Sequence, residues 1–73
     1  MKEHVYKKVE IVGSSRDSLE KAVRNALQTA SESLRNLRWF EVTEIRGTME
    51  DNANPFWQVT VKIGFTVEES ISD

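Results

Sequence analysis

From Trp57 to Val67 every second residue is apolar: Trp57, Val59, Val61, Ile63, Phe65 and Val67 alternate with Gln58, Thr60, Lys62, Gly64 and Thr66. Successive side chains of a β-strand point to opposite faces, so this run is a strand with one side in a core and the other side open. A chain that contains it has to build a sheet covered on one face, and the cover lies upstream. Between Ser18 and Asn36 the apolar positions Leu19, Val23, Ala26, Leu27, Ala30 and Leu34 recur at steps of three and four, which makes one stripe of a long α-helix. Asp17 followed by Glu20 fits a capping box at its start, with both acids favoured by the positive end of the helix dipole.

Two more strands complete the pattern. Residues from about Val5 to Val12 are β-branched and aromatic in type and stop at the turn signal Gly13-Ser14-Ser15. Trp39 to Met49 is the second strand. Its phase changes midway, since Phe40 and Val42 share one face while Ile45 falls on the other, and a β-bulge near Thr43 or Glu44 returns Ile45 to the inner face. Glu50-Asp51-Asn52-Ala53-Asn54-Pro55 is a polar turn that joins this strand to the next as an antiparallel hairpin, turning near Asn52 and Ala53. The expected fold is α+β, in the order β-α-β-β, with a three-stranded antiparallel sheet wrapped around one long helix. It is read as one domain over residues 1–73, with an acidic tail at 68–73 that need not be ordered. Trp57, by its phase with Val59 and Val61, is assigned to the core. The uncovered sheet face is left to Tyr6, Trp39 and Phe56, and exposed aromatics of that kind mark an interface or a ligand site.

Seventy-three residues bury a thin core, because a domain this small hides only ~60% of the surface its unfolded chain exposes. Disulfides or a metal make up such a shortfall in many small proteins, but this chain has no cysteine and a single histidine, His4. Association with copies of itself is the expected remedy. The lack of cysteine and of an apolar leader fits a cytoplasmic address, and no apolar run is long enough to span a membrane. A formal net charge of −2 gives no basic field for nucleic acid.

Three residue types on the second and third strands point to binding. Trp39 is a stacking surface, Arg46 an anion partner and Gln58 a flat amide edge, which together suit a flat heteroaromatic ligand that carries a phosphate. Catalysis finds no support: there is no cysteine, no glycine-rich phosphate loop and no histidine with a paired carboxylate. No metal set is visible either, although Glu41, Glu44 and Asp51 are acids that a channel in an assembly could use to collect cations. His4 has no companion ligands. Each site residue also has a plainer role: Trp39 as a subunit-contact anchor, Gln58 as an outer-face polar residue, Arg46 as a partner of Glu44 or Glu41, and Arg38 as a partner of Glu41.

The pieces Val5-Tyr6-Lys7, Glu10-Ile11-Val12-Gly13-Ser14-Ser15, Leu34-Arg35-Asn36-Leu37-Arg38-Trp39-Phe40-Glu41-Val42, Ile45-Arg46-Gly47, Gln58-Val59 and Gly64-Phe65, in this order and at these spacings, resemble a bacterial dodecin. The resemblance runs over nearly the whole chain. It implies a hollow homododecamer of tetrahedral symmetry that binds flavins in pairs at two-fold axes, each pair sandwiched between tryptophans of neighbouring subunits. The implied role is flavin storage or sequestration and photoprotective quenching, without turnover. By position, Trp39 is then the stacking tryptophan, Gln58 meets the pyrimidine-like edge of the isoalloxazine, and Arg46 partners the polar side chain or phosphate of FMN, riboflavin or a related flavin. Thr66 and Thr29 stand where other members carry basic residues implicated in holding coenzyme A, so these departures argue against coenzyme A. Trp57 departs too, a tyrosine or phenylalanine being commoner before the glutamine.

Strand register adds a geometric expectation. With Gln58 opposite Arg46 or Gly47 and Trp39 near Phe65, Trp39 and Gln58 are about eight residues apart along the sheet, or ~26 Å. A single flavin would then touch both only from different subunits. Two other readings stand beside this one: a homo-oligomeric structural module whose aromatic face serves assembly alone, and a coenzyme A or nucleotide binder that uses the same face.

Overall fold

The computed structural model describes residues 3–67, so the expected acidic tail at 68–73 lies outside the described residues. The elements are β1 (Tyr6–Ser15), α1 (Leu19–Ser33), β2 (Leu37–Glu50) and β3 (Asn54–Thr66). They form one antiparallel sheet in the order β1-β3-β2, with the alternating strand β3 at its centre. The β-α-β-β fold is the expected one, with β1 running further and α1 ending sooner than the sequence pattern indicates.

Ser18, in extended backbone (φ −165°, ψ 163°), caps α1 by accepting the Lys21 N–H on its hydroxyl. Asp17 therefore does not cap the helix, contrary to expectation. Its carboxylate lies 3.8 Å from the Lys21 ammonium, an exposed pair one turn along, while its own N–H donates to the Ser15 hydroxyl. The helix stops at Ser33 instead of reaching Asn36. Leu34 has already turned extended, and Asn36 takes a left-handed conformation (φ 60°) that swings the chain into β2. Asparagine tolerates that region better than most side chains.

The core is a seam of small helix residues on branched strand residues: Ala22, Ala26 and Ala30 against Val59, Val61 and Ile63. Ala22 was not in the expected stripe, whereas Leu19, which was, is exposed. Alanine at every fourth position lets the helix sit low on the sheet. Gly13 completes that approach, since a β-carbon there would run into the carbonyl oxygen of Ala22. Val9 and Ile11 of β1 and Val23 and Leu27 of α1 pack around the seam.

Pairing of β2 with β3 slips twice, leaving Arg38 and Thr43 as the extra residues. The slip at Thr43 restores Ile45 to the inner face opposite Val59, as the phase change requires. At the hairpin tip Asp51 and Asn52 are both left-handed (φ 54° and 59°), and Ala53 N–H closes the turn on the Glu50 carbonyl. Pro55 lies within β3, pairing with Met49, where β1 has already ended. A proline in a central strand is tolerated here because only one neighbour remains.

The helix lies over β1 and β3 and hardly touches β2. Phe40, Val42, Ile45 and Met49 point to the helix side of the sheet but stay exposed. Trp57, expected in the core, shares their fate: its phase is inward, opposite Gly47, but no helix extends over the hairpin tip and it is 39% exposed. The chain measures 56 × 20 × 15 Å with a radius of gyration of 15.4 Å. A compact domain of this length would have about 11 Å.

Candidate ligand face and subunit-facing surface

The face of the sheet turned away from α1 carries every residue singled out for binding. Parity along β3 puts Gln58, Thr60, Lys62, Gly64 and Thr66 there, and the register brings Arg46 opposite Gln58 and Trp39 opposite Gly64. On β1, Tyr6 faces the same way, opposite Thr66.

Trp39 follows the Arg38 bulge. The Arg38 Nε–H donates to the Thr66 hydroxyl at 2.8 Å, which ties the bulge to β3 and leaves Arg38 without the expected Glu41 partner. The Trp39 indole lies over Gly64, and the Tyr6 ring stands against it at 5.3 Å between centroids and 66° between planes. That edge-on arrangement suits the opposite charges of ring edge and ring face. At 39% exposure, Trp39 keeps indole surface open to solvent.

Gln58 is the second centre. Its Oε1 accepts from Arg46 Nε at 2.8 Å and from the Thr48 hydroxyl at 3.0 Å. An amide oxygen offers two lone pairs, so both are used, and the Nε2 donors are what the side chain has left to offer. Arg46 thus partners Gln58 and neither Glu44 nor Glu41. Glu44 accepts from the Thr60 hydroxyl at 3.2 Å, and Glu41 lies 3.9 Å from the Lys8 ammonium. Sequence reasoning missed Thr48 and Gly64. Both could have been found by extending the two-residue parity across the hairpin.

The structure does not bring Trp39 and Gln58 together. Their positions on β3 are six residues apart, two fewer than expected, a span of ~20 Å. Arg46 and Gln58 form one cluster, and Trp39, Tyr6 and Gly64 another. A groove of about 390 Å³ runs between α1 and β2, lined by Leu27, Gln28, Ser31, Leu37 and Phe40 and reaching Trp39. Among the described residues no group of three or more acidic, histidine or cysteine side chains is placed to hold a metal, and no helix is long and apolar enough to cross a membrane.

The family model for dodecin matches residues 5–68. The chain belongs to the dodecin family. It is 50% identical over 66 residues to the dodecin of Thermus thermophilus, covering 90% of this chain and 96% of the relative. The solved dodecin of Streptomyces coelicolor superposes with a TM-score of 0.87 at 51% identity, covering 96% of this chain and all of that one. A more distant solved relative from Mycobacterium tuberculosis, described as a calcium dodecin with a novel calcium-binding site, gives 0.81 at 26% identity over 94% of this chain and 99% of its own. The dodecin resemblance read from Trp39-Phe40-Glu41-Val42, Arg46-Gly47 and Gln58-Val59 is therefore the family relationship.

Proposed function

We propose that this protein binds flavin without transforming it, as a hollow homododecamer in the cytoplasm that stores the dye and quenches its excited state. Single observations at each end of β3 support the reading. At one end the Trp39 indole lies over Gly64 with surface left open. At the other, Gln58 retains N–H donors for a carbonyl on the flavin edge, and the terminal nitrogens of Arg46 remain for an anionic tail. The site residues are thus Trp39, Gln58 and Arg46. These groups fit an isoalloxazine in kind: a stacking plane and a hydrogen-bonding edge. With ~20 Å between them, one flavin meets both only when two copies contribute, so binding and assembly are one event.

The exposed row Phe40, Val42, Ile45 and Met49 supplies the reason to assemble. An apolar strip of that length on a small domain favours burial against another copy. Coenzyme A is not part of the proposal, because Thr66 offers no charge and its hydroxyl accepts from Arg38.

Titrating riboflavin and FMN into the purified protein, with flavin emission and intact-particle mass recorded together, tests the reading. Saturable quenching by a twelve-chain particle is the expected result. Unchanged emission at a protein excess would overturn flavin binding, and a stable dodecamer indifferent to flavin would favour the assembly-only role.

A further inference from the structure

We propose that Gly64 and Tyr6 are positioning residues that set the Trp39 indole in a fixed seat before any ligand arrives, an inference that rests on reading Trp39 as the stacking surface. Along the open face of β3, Gln58, Thr60, Lys62 and Thr66 are half-buried, yet Gly64, which has no side chain, is buried. The indole is what covers it. A β-carbon at Gly64 would overlap Cζ2, Cε2 and Cη2 of Trp39, the three atoms nearest that point. Gly64 has no positive φ, so its backbone conformation is open to any residue. The need for glycine is therefore room for the ring, not torsional freedom.

Tyr6 closes the seat from the side. Its ring meets Trp39 edge-on at 5.3 Å, carried there by β1 through the Tyr6–Thr66 pairing. The Arg38–Thr66 hydrogen bond holds the backbone just before Trp39 on the same row. All three strands thus fix one side chain, with backbone beneath it, an aromatic edge beside it and surface left facing outward. A side chain already immobilised loses little freedom on binding, so the seat converts stacking into affinity. It also sets the ring plane, which decides how far an incoming flat ligand overlaps it.

The test uses a Trp57→Phe parent, in which Trp39 is the one tryptophan. Time-resolved anisotropy of Trp39 is read in the ligand-free assembled protein, and riboflavin affinity is read separately. In Gly64→Ala and Tyr6→Ala the fast-motion component of Trp39 should grow and riboflavin should bind about tenfold more weakly, the loss of most of one stacking contribution, with particle mass unchanged. Tyr6→Phe, which keeps the ring edge, should behave as the parent. Parent-like anisotropy in Gly64→Ala would overturn the seat. Should Gly64→Ala fail to assemble, equal anisotropy in Tyr6→Ala and Tyr6→Phe would overturn it instead. A parent that binds no riboflavin would sink the flavin reading, while the ligand-free anisotropy still decides the seat.

Discussion

Arg46 and Gln58 are a directly opposed cross-strand pair, and the Arg46 Nε–H donates to Gln58 Oε1 at 2.8 Å. With the Thr48 hydroxyl on the same oxygen at 3.0 Å, the amide has one orientation, oxygen toward β2 and nitrogen toward whatever approaches. The residue with the guanidinium thereby acts twice. It orders the amide, and it keeps its remaining donors beside that amide.

Replacing Gln58 with glutamate separates these roles. A carboxylate would keep both hydrogen bonds, strengthened by charge at Arg46, but would have no N–H to give a flavin carbonyl. Leaving a ligand acceptor unpaired costs about 1–3 kcal/mol. Gln58→Glu should therefore preserve the thermal midpoint and the particle mass while weakening riboflavin binding tenfold or more, as read by fluorescence titration.

Removal of the stacking plane gives a different signature. Trp39→Ala leaves Gly64 and Tyr6 without the ring that packs on them, and it takes away the electron-rich surface on which the proposed flavin would stack. Quenching of riboflavin emission should be abolished. A ligand held mainly by Arg46, such as a nucleotide, should be affected far less in a parallel binding assay. Equal losses for both would argue that Trp39 serves assembly.

Much of this was legible because two periodicities carry it. The alternation through Val59, Val61 and Ile63 fixed the inner face of β3, and the phase break between Val42 and Ile45 located the bulge at Thr43. The misreadings have local causes. Asp17 and Ser18 are both good capping residues, and only backbone geometry selects the serine. Trp57 has the phase of a core residue, but burial also requires something overhead, and α1 starts behind its Ser18 cap just after β1 ends opposite Trp57, so it runs away from the hairpin tip. Arg46 could have met any nearby acid. The hairpin register, one of the two expected, sets it opposite Gln58, and the bulge at Thr43 moves Trp39 from Phe65 to Gly64, leaving six residues between Trp39 and Gln58 instead of the expected eight.

The exposed inner row of β2 makes a prediction about assembly. Ile45, opposite Val59, is 55% exposed because α1 does not cover that strand. If another copy buries it, a charge there would be desolvated without a partner, at a cost of several kcal/mol per contact. Ile45→Lys should yield a smaller species by light scattering and lose flavin binding with it, although Ile45 lies on the face away from Trp39 and Gln58. An intact particle would exclude this strip from the subunit contact.

The cap offers a test confined to one helix end. Ser18 accepts the Lys21 N–H at 3.0 Å, whereas Asp17 contributes an exposed ion pair with Lys21. Loss of a serine cap costs about 1 kcal/mol, and an exposed pair one turn apart is worth ~0.3–0.5 kcal/mol. Ser18→Ala should therefore lower the melting midpoint by several degrees, given the ~4–8 °C per kcal/mol of small domains. Asp17→Ala should move it by a fraction of that, since its backbone N–H still reaches the Ser15 hydroxyl. The reverse ranking in differential scanning calorimetry would return the cap to Asp17 and with it the capping box that the Asp17–Glu20 spacing predicts.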